Sequence, residues 1–356
     1  MGDLGNSALL QSRPTLLFAG REDAVMAGRL HELLVHETVH GMYRCEALFN
    51  NWGAVSGGIG YLLFDRAILD FGKSFEVKVG DTTMFAGKIM AIQADFPSGA
   101  PPQIRILAED SLQDLRMTRR TRSFSDVSDA QVIQQIAQDH GLTPQVNATG
   151  ATHKVLAQVN QSDLAFLRER ARAVGAEIWI DGQTLHAATR SQRGGANVKL
   201  THGAGLREFS VLADLSHQAT SVLTSGWDVA AKEAINEQAD DSVLGAELGQ
   251  DDSGASILRT AFGERKQIHA HTAPATSGEA VDYAKARFLE MARRFVVGTG
   301  VAEPESRLRV GTQVQLSGLG PLFSGKYYIT ETRLTFDGQR GLRTNFRGER
   351  PGLGKQ

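Results

Sequence analysis

Residues 125–146 read SDVSDAQVIQQIAQDHGLTPQV, and residues 161–185 read QSDLAFLRERARAVGAEIWIDGQTL. Each stretch opens a helix. Ser128 is a good N-cap and Gln131 follows at capping-box spacing. Val132, Ile133, Ile136 and Ala137 share one helical face, and Gly141 supplies the stop. Ser162 caps the second helix. Leu164, Leu167, Ala171 and Val174 form its apolar stripe, Arg168, Glu169, Arg170 and Arg172 are expected to face outward, and Gly175 is the C′ residue. Glu177–Ile180 and Gln183–Ala187 then predict a hairpin across Asp181-Gly182, a favoured two-residue turn. A polar spacer separates the two helices.

Outward from this module the chain reads as β-structure. On the N-terminal side, strands are predicted over Thr15–Ala19, Leu30–Val35, Tyr43–Phe49, Phe75–Val79, Thr83–Asp95 and Gln103–Ala108. In Tyr43–Phe49 the residues Tyr43, Cys45, Ala47 and Phe49 alternate onto one apolar face. NNWGAVSGGIG, residues 50–60, reads as a loop. On the C-terminal side, residues 198–215 predict two strands, and Ser221–Val229, Leu308–Leu316, Lys326–Phe336 and Leu342–Phe346 predict four more. Ala234–Ser256 is acidic and Gly-rich, and is expected to be a loop. Glu279–Phe295 is expected to be a helix with Ala280, Ala284, Phe288, Met291 and Phe295 on its apolar face. Gly348–Gln356 reads as a loose polar tail. The fold class is therefore α+β, mostly β, with a small helix and hairpin module between two β-rich regions. The expected units are residues 1–115, 116–195 and 196–350, with a tail at 351–356.

Composition excludes several classes. The formal net charge is −2, so no general basic surface suits nucleic acid. The local run Arg116, Arg119, Arg120 and Arg122 reads as a solvated strand end, or as a charged contact to a neighbouring subunit. Cys45 is the one cysteine, so no internal disulfide or cysteine metal cluster forms. The N-terminus lacks a signal-peptide apolar core, and Asn6 spoils a myristoylation pattern. No apolar run approaches the roughly 20 residues of a membrane span. A protein made in a cytoplasm, without membrane insertion, is expected.

Apparent catalytic motifs lack their context. His36-Glu37-Thr38-Val39-His40 matches H-E-x-x-H, the pattern of a zinc hydrolase in which His36 and His40 share a helix face and Glu37 polarises the metal-bound water. Here the local residues are weak helix formers, Gly41 follows, and a strand would put Glu37 on the opposite face. GPLFSGK, residues 320–326, resembles a phosphate-binding loop, but Tyr327 stands where Ser or Thr must hold magnesium, and a strand pattern follows. His269 and His271, with Glu264 or Asp282 nearby, form a candidate metal pair without a further ligand fixed by spacing. Trp52, Trp179 and Trp227 are too dispersed in sequence for a carbohydrate or base-stacking platform. No catalytic, cofactor-binding or metal residues are assigned, and the zinc hydrolase is kept as the rival reading.

Three stretches resemble the phage late control protein D family, which is similar to the N-terminal part of type VI spike proteins and to contractile-tail baseplate hubs. The first is residues 108–144, AEDSLQDLRMTRRTRSFSDVSDAQVIQQIAQDHGLTP. The second is residues 161–181, QSDLAFLRERARAVGAEIWID. The third is residues 307–346, with Leu308, Gly311, Val314, Leu316, Gly318 and Gly320 followed by FSGKYYIT. The resemblance implies two tail-tube-like β-barrel domains flanking the module. It also implies a homotrimer presenting a pseudo-sixfold ring that joins the tail tube protein to a trimeric spike protein, with baseplate wedge proteins as further neighbours. The spike is then expected to be a separate polypeptide, and the module to lie at the ring's periphery. The particle is a phage virion tail or a contractile injection system, built from subunits made in the bacterial cytoplasm.

Overall fold

The computed structural model describes residues 13–229, 231–269 and 274–355. The N-terminal region runs β1 (Thr15–Phe18), β2 (Arg21–Glu22), α1 (Ala24–Arg29), β3 (Leu30–Thr38), β4 (Arg44–Asn50), β5 (Trp52–Val55), β6 (Gly58–Tyr61), β7 (Ser74–Val79), β8 (Thr82–Asp95) and β9 (Gln103–Glu109). The middle runs α2 (Leu112–Arg116), β10 (Arg119–Ser128), α3 (Asp129–Asp139), β11 (Thr143–Val146), β12 (Thr152–Ser162), α4 (Asp163–Ala173), β13 (Ala176–Asp181) and β14 (Thr184–Thr189). Then come β15 (Asn197–His202), β16 (Gly205–Ala213), β17 (Ser221–Asp228), β18 (Glu233–Asp240), a 3-10 segment (Asp241–Glu247), β19 (Asp252–Ser253), α5 (Gly254–Phe262), β20 (Lys266–His269) and α6 (Ser277–Ala292). The chain finishes with β21 (Val296–Ala302), β22 (Gln313–Ser317), α7 (Gly320–Phe323), β23 (Gly325–Asp337), β24 (Gly341–Arg350) and β25 (Gly352–Leu353). With 50% strand and 20% helix, the protein is mostly β.

One strand organises the sheets. In β23, residues 325–328 pair with β22 and residues 331–337 pair with β3. The first partner belongs to a closed six-strand barrel, β23-β22-β15-β16-β21-β24, closed by the β23–β24 hairpin. The second belongs to an arc, β1-β7-β8-β9-β4-β3. The arc's strands alternate as read: Phe75, Val77 and Val79 of β7 and Ile104, Ile106 and Ala108 of β9 all turn inward. Leu334, Phe336 and Leu342, from the far end of the β23–β24 hairpin, fill the same core. The barrel core is separate and holds Val198, Leu206, Val296, Val314, Leu316, Tyr327, Ile329 and Phe346.

The module is more strand-rich than expected. Its spacer is strand β12, paired antiparallel with β10. Each ribbon strand ends on the serine that caps a helix: Ser128 forms a full capping box with Gln131, and Ser162 accepts from the Ala165 amide. One sequence offset relates Ser128 to Ser162, Asp129 to Asp163, Ala137 to Ala171 and Gly141 to Gly175, so the module contains two strand–helix copies. Its core joins Val132, Ile133, Ile136 and Ala137 to Leu164, Phe166, Leu167 and Ala171. The β13–β14 turn is Gly182-Gln183 rather than Asp181-Gly182, because Asp181 still pairs with Thr184 and Gly182 takes the positive φ of 57°.

Other expectations are corrected. Residues 50–60, read as a loop, contain all of the β5–β6 hairpin except its last residue, Tyr61. Ala234–Ser256 contains most of β18, the 3-10 segment, β19 and the start of α5. Helix α6 packs on β17 and β18 through Ala284, Phe288 and Ala292, meeting Val222 and Ala239. The tail is tied down: β25 pairs with β19, and Arg350 donates to the Ser324 carbonyl at 3.0 Å. Gln356, Asn6 and His271 lie outside the described residues. Among the described residues no helix is long and apolar enough to cross a membrane.

Because Leu334 sits in the arc's core on a strand shared with the barrel, Leu334→Ala is expected to cost about 2–5 kcal/mol. Urea unfolding followed by arc and barrel aromatic signals should show one shifted transition; an unshifted barrel transition would uncouple the two.

Candidate functional site

The H-E-x-x-H residues lie on or just beyond β3. Alternation puts Leu33, Val35 and Glu37 on the buried face and His36 on the other. His36 donates from Nε2 to Glu331 at 2.8 Å, and its Nδ1 accepts from Arg44 Nε at 3.3 Å, so both ring nitrogens are engaged. His40 lies in the following turn, where its carbonyl accepts from Arg168 at 2.7 Å. The three residues do not converge, and this geometry corrects the zinc-hydrolase alternative. GPLFSGK forms the short helix α7 and the start of β23, and the Tyr327 hydroxyl donates to the Phe323 carbonyl at 2.8 Å. Glu264 accepts from Thr220 and Arg259, and Asp282 from the Ala151 amide. Among the described residues no group of three His, Cys, Asp or Glu side chains is placed to hold a metal.

Glu37 has a structural task. An inward-facing carboxylate in a β core must be paired, and Glu37 is met by the Arg309 guanidinium and by the Val310 amide at 3.2 Å. Arg309 also donates to the Thr83 and Met84 carbonyls, at 3.2 and 3.0 Å. The loop before β22 is thereby fixed to both β3 and β8 of the arc.

The same loop receives the module. Arg193 donates to the Val310 carbonyl and to the Tyr43 hydroxyl, each at 3.0 Å, and to Glu177 at 2.9 Å. Its guanidinium lies 4.1 Å from the centre of the Trp179 ring. Glu177 also accepts from Arg190 at 3.0 Å and from the Tyr328 hydroxyl at 2.5 Å, and Arg190 continues to Glu349 at 3.1 Å. Burial pushes the Tyr43 hydroxyl up to about 12 and raises Tyr328 further, so both stay protonated. Gly311 is required here: its φ is +91°, and a Cβ would lie 2.2 Å from Arg193 Nε. One buried network thus joins arc, module and barrel.

A second network joins the module to α6. His153 Nδ1 lies 2.9 Å from Glu279, and Nε2 lies 3.0 Å from Asp129. Carboxylates only accept, so both bonds together require the doubly protonated ring. Asp129 also accepts from Arg170 at 2.5 Å, and Arg170 reaches the Tyr283 hydroxyl at 3.3 Å. Arg170 was expected to face outward but is buried by this pairing. The matching Asp163 is met by Arg120, Arg122 and His140. Part of the basic run is therefore neutralised inside the chain, with Arg116 paired to Glu109.

The surface carries an aromatic feature that residue spacing hid. Trp52 and Tyr61 meet edge-on at 5.2 Å, Tyr61 stacks on Phe64 at 4.9 Å, and Phe64 meets Phe96 at 5.9 Å. These side chains are 37–63% exposed, beside Ile59 at 71%, and contiguous exposed apolar surface of this kind marks an interaction face. Sequence reading set Trp52 aside because its partners come from β6, the segment after it and the loop after β8.

The fold is similar to that of solved phage tail proteins. The 43 kDa tail protein of prophage MuSo2 from Shewanella oneidensis matches with a TM-score of 0.71 at 13% identity, covering 95% of this chain and 98% of that one. The tail protein from Neisseria meningitidis MC58 matches at 0.69 and 11% identity, covering 96% and 97%. The E. coli c3393 protein, a type VI secretion system component with structural similarity to T4 tail proteins gp27 and gp5, matches at 0.58 and 12% identity, covering 92% and 76%. At these identities the likeness is one of fold. Residues 61–336 match the model of the Alg8 N-terminal domain family, and the chain belongs to that family. No curated protein matches the sequence.

Removing Glu177 leaves Arg190 and Arg193 buried without their shared carboxylate. Glu177→Ala is expected to cost roughly 3–5 kcal/mol in urea unfolding; a cost below about 1 kcal/mol would remove the network from the account.

The His153 clamp gives a pH dependence. The Asp129 hydrogen bond raises the ring's pKa above 6.5, against burial and Arg170 and with help from Glu279. A raised folded-state value means that the stabilisation is complete below the unfolded pKa and is lost as pH rises through the folded one. Asp110, pushed up to about 6 by burial, acts in the same direction, and Asp282 is also raised by burial. The difference between wild type and His153→Gln therefore isolates the ring. Stability measured by urea unfolding should fall more steeply above pH 6.5 in wild type than in the variant, and parallel curves would contradict the clamp.

Proposed function

We propose that this chain is a structural baseplate hub of a contractile phage tail or a phage-derived contractile injection system. The observation that carries the reading is agreement in fold with the MuSo2 tail protein along nearly the full length of both chains. In this reading three copies form a ring. Each contributes two β units, residues 1–115 and 196–350, with the helical module at residues 116–195 on the outside. Six such units around a channel approximate sixfold symmetry while the ring is threefold in covalent identity, which lets it join a tail tube to a trimeric spike. Closed rings of repeated heterologous contacts are physically ordinary. The partners are other copies of this chain, the spike protein, the tail tube protein and baseplate wedge proteins. The chain acts by assembly and not by catalysis, is made in the bacterial cytoplasm, and ends in a tail or injection particle.

Two features of the molecule suit that task. The buried networks through Glu37, Glu177 and Asp129 tie three parts of the chain into one body, as a load-transmitting subunit needs. The aromatic face at Trp52, Tyr61, Phe64 and Phe96 is apolar surface that an assembled ring would cover. Light scattering is expected to give the mass of three chains for wild type and a lower mass for the double variant Ile59→Ser, Tyr61→Ser. A wild-type monomer at micromolar concentration that also fails to co-sediment with the spike or tube protein would overturn the proposal.

A further inference from the structure

A groove lies between α4, β13, α6 and the turn at Val39–His40. Ala171, Ala176, Ile178 and Ala286 supply apolar wall, and Arg168, Arg172, Arg190, Arg293 and Arg294 supply cations, with a space of about 100 Å³ between them. The carboxylates present are already shared. Glu177 serves Arg190, Arg193 and Tyr328, Glu290 serves Arg287 and Arg294, and Arg293 is taken by Glu247. Among the described residues Arg168 and Arg172 have no carboxylate partner; Arg168 donates only to the carbonyls of His40 and Gly41, at 2.7 and 3.1 Å.

His40 registers the imbalance. Burial, then Arg172, Arg168 and Arg294, hold its pKa below the ordinary 6.5, with Glu177 acting in the opposite sense. Burial likewise lowers Arg168, the buried Asp110 carboxylate opposes this from beyond ion-pair distance, and Arg172 and Arg116 add to the lowering. An arginine in the last turn of α4 complements the helix dipole. That favours Arg172 at its position but supplies no carboxylate ion pair for Arg172 or Arg168 beside His40.

We propose that this groove is a binding site for a single oxyanion, a carboxylate or a phosphate. Arginine's planar fork matches both groups in bidentate geometry. The space, about 100 Å³, suits one such group on a short apolar stem. The site is independent of the tail reading. Its ligand is either a free anion or an acidic side chain of a docking protein, and the two probes below distinguish these sources.

Calorimetric titration of the full chain in low chloride tests this, with inorganic phosphate as one probe and butyrate, which carries a glutamate side chain's carboxylate, as the other. Saturable binding is expected for at least one probe and should weaken about tenfold or more in Arg172→Gln. That position is exposed, so the variant should keep its fold. His40, followed by NMR, should move up towards 6.5 when the anion binds. Tighter butyrate binding points to a partner's carboxylate and tighter phosphate binding to the free ion, and either result supports the site. Absence of saturable binding by both probes, or binding unchanged in Arg172→Gln with His40 unmoved, would overturn it.

Discussion

A single strand serves the barrel and the arc at once. The first residues of β23 complete the barrel, and its later residues extend the arc through β3. Strand pairing has a side-chain period of two, so a one-residue slip would turn every inward residue outward. A slip of β23 would therefore expose Tyr327 and Ile329 from the barrel core together with Leu334 and Phe336 from the arc core. The irregularity between Ile329 and Glu331 in the β24 pairing lies where the strand passes from one set of partners to the other. Arc and barrel are thus coupled by register as well as by contact.

The buried charges work within that constraint. Ion pairs in a core add little net stability compared with apolar packing, but losing one partner is costly. What they supply here is geometry. Glu37 accepts only where Arg309 and the Val310 amide present themselves together, and Arg193 reaches Val310 only past a glycine. The resulting joint has one arrangement that satisfies its donors and acceptors. Bending such a joint would leave charges unpaired in a dry interior.

Legibility in the sequence followed the physical origin of each element. The helices α3 and α4 were plain because caps, apolar stripe and glycine stop all agree. The arc strands were plain because Phe75, Val77, Ile104 and Ile106 alternate towards one core. Strand β12 was hidden because its pattern is inverted: Val155 and Val159 are exposed, whereas His153 and Gln158 are buried. Strand β18 was hidden because its two main buried side chains, Ile235 and Ala239, are scattered among acidic and polar residues. Arg170 looked like surface because its partner Asp129 lies on the other helix. The aromatic face and the arginine groove were illegible for the same reason, since each assembles side chains from segments that meet only in the folded chain.

The proposed role requires that copies of this chain build a closed ring around a channel. Electron microscopy of the purified protein, with classification of end-on views, tests it most directly. Rings of three chains are expected, with six β units around the lumen and the α3 and α4 helices on the outer rim. Isolated particles of one chain, or a ring whose lumen is lined by those helices, would contradict it.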